Sequence, residues 1–273
     1  MTPRSLRSLT RLLLSCLLMV SAGSMTLAAS PPPQRPFQTQ LPWSLERGRW
    51  EFASGLMRRD GVAPPFFGED RETYRGEYRL SLVDATLGLG GGGEVQVRFG
   101  LQRFHEEGGE AGSGIEDARV AFGYQLPVSR LDTAIRFEVK LPNAPNDRRL
   151  GTDETDIFLV GAVGRLRQRW GWAGNAGFGI LGDPVEAAVQ DDVLLLGAAG
   201  WVALDKAGRW TLLGEANGIA ASRFGNDFRV ARLGLRMGRE RPIDVSVRRG
   251  LTSESEDWGL EAGMTFPASR SVR

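Results

Sequence analysis

Residues 115–141 carry two runs of strict alternation separated by a proline turn. In the first run Ala118, Val120, Phe122, Tyr124 and Leu126 alternate with Asp117, Arg119, Ala121, Gly123 and Gln125. In the second, Thr133, Ile135, Phe137, Val139 and Leu141 alternate with Asp132, Ala134, Arg136, Glu138 and Lys140. Pro127 ends the first run because proline has no N–H to give to a ladder. A period of two sends the apolar side chains to one face of a sheet and the charges to the other, whereas a helix would scatter the charges around its circumference. The stretch is a β-hairpin with one apolar and one ionic face. Two environments accept such a hairpin. In a soluble sandwich the apolar face is the core and the charges meet water. In an outer-membrane barrel the apolar face meets lipid and the charges line the lumen.

The same rhythm recurs along the chain at about 48–57, 74–87, 94–104, 155–166, 170–180, 193–204, 209–218, 228–237, 243–248 and 258–266. The 155–166 run is more uniformly apolar, and its two faces cannot be told apart by pattern. With the hairpin, the count is about twelve. An even number brings both ends of a closed barrel to one rim. Connections alternate between long or polar (58–73, 105–114, 142–154, 182–192, near 224–227, 252–257) and short (88–93, 127–130, 167–169, 205–208, 238–242). Outer-membrane barrels combine short periplasmic turns with longer outer loops, and a sandwich has no reason to alternate in this way. Aromatic residues at strand ends (Trp50, Trp170, Trp172, Trp210, Trp258, Phe266) suit interfacial girdles. The expectation is an all-β, transmembrane antiparallel β-barrel of about twelve strands with a periplasmic N-terminus, in preference to a soluble periplasmic β-sandwich.

The N-terminal region specifies export. Arg4, Arg7 and Arg11 precede an apolar run from Leu12 to Val20, and small residues follow to Ala28 and Ala29. This pattern predicts a cleaved Sec signal peptide over 1–29, the run being too short for a span of about 20 residues. Cys16 has too little apolar sequence upstream for a lipidation signal. Loss of the leader takes the formal charge from +1 to −2, because three arginines and no acidic residue leave with it. It also removes the one cysteine, so a disulfide is excluded from the mature chain. Residues 30–46, rich in proline at Pro31, Pro32, Pro33 and Pro36, read as a periplasmic spacer in preference to a plug, 47–266 as the barrel and 267–273 as a C-terminal tail. A mean hydropathy of −0.22 is compatible with a barrel, since half of each strand faces water.

The sequence Phe137-Glu138-Val139-Lys140-Leu141-Pro142, then Leu150-Gly151-Thr152 and Asp156, resembles the outer-membrane barrel family named for the meta-pathway of phenol degradation. In that family a strand ends in Lys-x-Pro, and a polar loop leads to a Leu-Gly-Thr-Gly-like turn and an Asp that opens the next strand. Here Asp153 stands where the second Gly would be. The motif residues are thus Lys140, Pro142, Gly151, Thr152 and Asp156. Their character is structural, and the resemblance implies a transporter without catalytic residues.

Composition offers little to an enzyme. With His105 alone a multi-histidine metal site is excluded, as is a cysteine site after cleavage. His105 and Ser113 could form a hydrolytic pair, but a solvated loop histidine is the simpler reading. The acidic groups Glu106, Glu107, Glu110 and Asp153, Glu154, Asp156 read as solvated loops in preference to Ca²⁺ sites. No cofactor and no metal are expected. Lys+Arg is 34 against 33 for Asp+Glu, so nothing favours nucleic acid. The expected partners are outer-membrane lipid, the barrel-assembly machinery and a small-molecule solute. Arg98, Arg119, Arg136, Glu138, Lys140, Glu215, Arg232, Arg236, Arg248 and Glu261 fall on the polar faces and would line the lumen. They could bound a water-filled path, where rings of charge select solutes, or pair across a narrow lumen and close it. The first gives a channel for small solutes, aromatic or otherwise apolar ones as the family name implies. The second gives a structural or adhesive barrel.

Overall fold

The computed structural model describes residues 38–62, 74–106, 111–128, 130–144, 150–151, 153–182, 191–221, 227–253 and 255–269. The signal-peptide region, Pro31 to Pro36 of the spacer, Thr152 and residues 270–273 lie outside the described residues. Thirteen strands follow one another: β1 (Arg49–Asp60), β2 (Tyr74–Gly90), β3 (Gly93–Glu106), β4 (Ala111–Ile115), β5 (Ala118–Leu126), β6 (Asp132–Leu141), β7 (Asp156–Leu166), β8 (Trp170–Leu181), β9 (Asp191–Ala203), β10 (Trp210–Ala221), β11 (Phe228–Met237), β12 (Ile243–Gly250) and β13 (Trp258–Ser269).

Strands β4 and β5 are halves of one stave. Both pair with β3, β4 against Leu101 to His105 and β5 against Gly93 to Arg98, with Glu116 and Asp117 at the break. The remaining strands pair antiparallel with their neighbours, and β1 pairs with β13 from Arg49↔Ser269 to Asp60↔Trp258. The result is a closed barrel of twelve staves. Both ends of the barrel chain lie at the rim that carries the short turns. At that rim Gly90, Gly91 and Gly92 have φ of 89°, 62° and 89°, a left-handed path that glycine follows at little cost. The 205–208 turn combines a left-handed Gly208, φ 65°, with an acid, Asp205. Its Oδ1 accepts the N–H groups of Arg209 (2.7 Å) and Trp210 (3.1 Å), and these bonds hold the carboxyl below its ordinary range.

Several boundaries differ from those the alternation predicts, β1 for one running on to Asp60 and β10 to Ala221. The supposed acidic loop at 105–114 is largely ladder, because β3 continues to Glu106 and β4 pairs Ser113 with Arg103. The supposed tail begins later, since Pro267, Ala268 and Ser269 pair with Glu51, Trp50 and Arg49. Proline is tolerated there because its neighbour ladder uses the other edge of the residue.

The distribution of exposure separates a barrel from a sandwich. Outside, Phe122, Phe137 and Leu233 are 47%, 43% and 57% exposed, and comparable side chains repeat on every long stave. Inside, Arg136, Arg232 and Asp244 are 5%, 5% and 1% exposed. This inverts the soluble pattern and fits a wall bathed in lipid. Trp50 and Phe52 stack on the outside near the turn rim, with centroids 5.6 Å apart. Near the loop rim the Arg58 guanidinium lies over the rings of Tyr78 (5.6 Å) and Trp258 (5.4 Å). Both are interfacial arrangements of aromatic rings.

Phe137 pairs with Phe122 and Leu159 halfway along the outer wall. Phe137→Arg is expected to destabilise the lipid-folded barrel by about 2–4 kcal/mol, the cost of a lipid-facing cation near the bilayer midplane. Guanidinium unfolding in vesicles, followed by tryptophan fluorescence, measures it.

Candidate functional site: the lumen

The lumen has an ionic half and an apolar half. Around β1–β3 and β10–β13, alternation brings opposite charges to adjacent inward positions, and these link into a chain. Arg79 meets Glu77 and, at 3.8 Å, Glu116. Glu77 also pairs with Arg59, which reaches Glu256 of the β12–β13 loop at 3.7 Å. Glu256 takes the Nε–H of Arg248 at 2.7 Å. Arg248 reaches Glu261 at 3.8 Å, Glu261 pairs with Arg232 at 3.1 Å, and Arg232 ends the chain on Glu215. Arg236 stands opposite Asp244 in the β11–β12 register. A second cluster is centred on Glu138, whose two oxygens accept from Arg98 (2.6 Å) and Arg119 (2.8 Å), with Arg136 at 3.6 Å. Arg136 also donates to Gln96 and lies 3.8 Å from Glu94. Charges taken out of bulk water are tolerated only when paired in this way.

The apolar half is built by β7–β10. Phe158, Leu181 and Val193 form one buried cluster, with Leu195 and Ile219 packed on it. This explains the uniform composition of β7. Its outward residues meet lipid, while inward Phe158, Val160 and Ala162 meet apolar neighbours, so both faces are greasy.

The described part of the supposed spacer, residues 38–46, does not hang free. It lies against the inside of the wall. The Oε1 of Glu215 accepts the backbone N–H groups of Gln38 (2.8 Å) and Thr39. Asn175 accepts from the Gln40 N–H at 3.0 Å, Gln125 from Ser44 at 3.3 Å and Glu94 from Leu45 at 3.2 Å. Leu41 packs among Ala173, Ala199 and Leu213, and Trp43 meets Trp201 edge to face with centroids 5.8 Å apart. Glycines in the wall make room. A Cβ on Gly164 would stand 2.9 Å from Pro42, and one on Gly197 would stand 2.9 Å from the Thr39 hydroxyl. A short apolar and polar segment with no charge between Gln38 and Leu45 can be buried where a charged spacer could not.

The family-like loop motif assembles at the opposite rim as a clamp. Lys140 Nζ lies 2.7 Å from Asp156 and 3.7 Å from Asp117. Asp117, at the break between β4 and β5, accepts the N–H groups of Asn143 (3.1 Å) and Ala144 (2.9 Å), just past Pro142. Gly151 sits so close to Ala144 that a Cβ would come within 2.8 Å of its methyl, and Leu150 is buried with Val62, Phe104 and Ala144. Asp153, at the position of the pattern's second glycine, has φ 52°, a conformation glycine adopts more readily.

All ten lumen candidates stand on the inward face. Arg136, Lys140, Glu215, Arg232, Arg248 and Glu261 are buried in the pairs described, Arg236 is buried opposite Asp244, and Glu138 is largely covered by Arg98 and Arg119, which remain partly open. Alternation alone missed Arg59, Glu77, Arg79, Glu94 and Glu256. Arg59 lies beyond the strand end read from pattern. Glu77 and Arg79 precede a bulge between Ser81 and Val83 that reverses the phase of β2, so the inward positions change from odd to even. His105 and Ser113 both point outward on the wall, two register positions apart. Among the described residues no cluster of three or more His, Cys, Asp or Glu is placed to hold a metal ion.

No known family profile matches the chain, and a search of curated proteins gave no match. Solved structures do resemble it. An outer-membrane channel from Pseudomonas putida F1 superposes with a TM-score of 0.62 at 12% identity, over 88% of this chain and 100% of that one. The NanC porin superposes with a TM-score of 0.50 at 8% identity, over 80% of this chain and 98% of that one. At such identities the likeness establishes a common fold, the outer-membrane barrel.

Arg232 serves two buried carboxylates, so Arg232→Ala leaves Glu215 and Glu261 without it and is expected to cost about 3–5 kcal/mol. Arg229→Ala, which removes an exposed pair with Asp227 at 3.1 Å, is expected to cost less than about 1 kcal/mol. Denaturant titrations of the two variants in lipid give the comparison.

Proposed function

We propose that the chain is an outer-membrane channel for small solutes. In this reading the leader 1–29 is removed on export, the barrel-assembly machinery inserts the barrel, and the turn rim with the N-terminus faces the periplasm. The residues that resemble the phenol meta-pathway family support membership of that family and a preference for aromatic or otherwise apolar solutes. The two superposed barrels are a channel and a porin, which agrees with a transport role. No catalytic residue and no cofactor are assigned.

The observation that carries the reading is accessible charge inside an apolar-walled barrel. The side chains of Arg98 and Arg119 are 38% and 39% exposed although they point into the lumen. In a tightly packed core such guanidiniums would have no free surface. The rival reading, a closed structural barrel, draws on the inserted segment 38–46 and on the long chain of ion pairs.

Proteoliposomes separate the two. The channel reading predicts uptake of small solutes well above that of empty vesicles, and a shift from anion towards cation preference for Arg98→Glu with Arg119→Glu. Arg136→Ala with Arg236→Ala is expected to change selectivity less, because those guanidiniums are buried. Uptake equal to that of empty vesicles, from protein shown to be folded by its heat-modifiable gel mobility, would leave the structural reading standing.

A further inference from the structure

Arg98 on β3 and Arg119 on β5 are register partners, and their side chains share Glu138. Two of the carboxylates nearby are less exposed than these two guanidiniums. Glu138 is 12% exposed and Glu116 25%, and Asp84 and Glu116 stand within electrostatic reach of Arg98. Here the two guanidiniums offer a solute more accessible surface than Glu138 or Glu116 does. Each contact with Glu138 uses one of the five N–H donors on its guanidinium.

The cationic surface runs directly into the apolar half. The Arg119 guanidinium lies over the Phe158 ring, 5.5 Å from its centroid. Phe158 belongs to the buried cluster on which Leu195 and Ile219 pack, and those two are only partly buried. The Arg119 guanidinium thus covers one member of an apolar cluster on which Leu195 and Ile219 also pack.

We infer that this junction binds organic anions with an apolar body, namely aromatic or medium-chain carboxylates. The carboxylate engages Arg98 and Arg119, and the body lies over Leu195 and Ile219. A guanidinium presents a planar fork that matches a carboxylate with two parallel hydrogen bonds. A neutral apolar solute gains the aliphatic contact but offers the arginines no acceptor of that strength, and a small anion such as acetate gains only the head contact. The inference narrows the solute class of the channel reading and rests on that reading for its biological meaning.

The test is equilibrium binding to the folded full chain in lipid nanodiscs, with empty discs as the blank and the probe's own fluorescence as the readout. The probes are 2-naphthoate, the neutral 2-naphthylmethanol, and acetate as a competitor. Naphthoate is expected to bind saturably and at least about tenfold more tightly than the alcohol, as charge-assisted hydrogen bonds imply. Arg98→Gln with Arg119→Gln brings it down to the level of the alcohol, and Ile219→Asn weakens both aromatic probes. Arg98→Lys with Arg119→Lys retains the preference for the anion at reduced affinity, which guards against misreading a misfolded glutamine variant. Equal binding of the two aromatic probes, displacement of naphthoate by equimolar acetate, or naphthoate affinity unchanged in the glutamine or Ile219→Asn variants would overturn the site. Binding that passes in a barrel without flux would sink the channel reading and leave the site, whereas flux without this preference would do the reverse.

Discussion

Within lipid a peptide group has no water to satisfy it, so every N–H and C=O of a spanning strand must find a partner in the protein. The ladder between β1 and β13 meets that requirement. Its twelve register pairs from Arg49↔Ser269 to Asp60↔Trp258 join the first and last staves along their whole length and leave no edge between them. Closure then dictates the rest. Apolar side chains outside meet hydrocarbon at no cost, and the alternate residues have nowhere to go but the interior of a twelve-stave barrel.

That interior is where the physical problem lies. A twelve-stave lumen carries many charges in a confined space, and each would be costly without a partner. The chain answers in two ways. On one side it links arginine to carboxylate from Arg79 to Glu215, so that each inner member of the chain has a partner on both sides. On the other it replaces charge with Phe158, Val160, Leu213 and glycine, and it fills part of the space with its own residues 38–46. Glu215 joins the two solutions, since one carboxylate pairs with Arg232 and also receives the N–H groups of Gln38 and Thr39.

Much of this architecture is legible in the sequence, because period-two alternation and strand count are local properties. The hairpin pairs Phe122 with Phe137 and Arg119 with Lys140, as alternation through a short turn requires. The less legible parts depend on non-local facts. The bulge in β2 shifts Glu77 and Arg79 into the network without altering the composition of the strand. The break at Glu116 and Asp117, which turns part of an expected loop into β4, becomes visible only once β3 is seen to pair with both halves. The proline-rich N-terminal stretch carries no periodicity at all, so its path from Gln38 to Leu45 along the wall could come only from contacts with Asn175, Gln125 and Glu94. Pattern also cannot say whether lumen charges are paired or open, and the candidate site depends on that distinction at Arg98 and Arg119.

In the proposed channel the barrel would conduct through a lumen narrowed by residues 38–46. Single-channel recording in planar bilayers tests it most directly, comparing the full chain with one lacking that segment. Small discrete steps are expected from the full chain, and a severalfold larger conductance without the segment. Equal conductance in the two, or silence in both from folded protein, would contradict it.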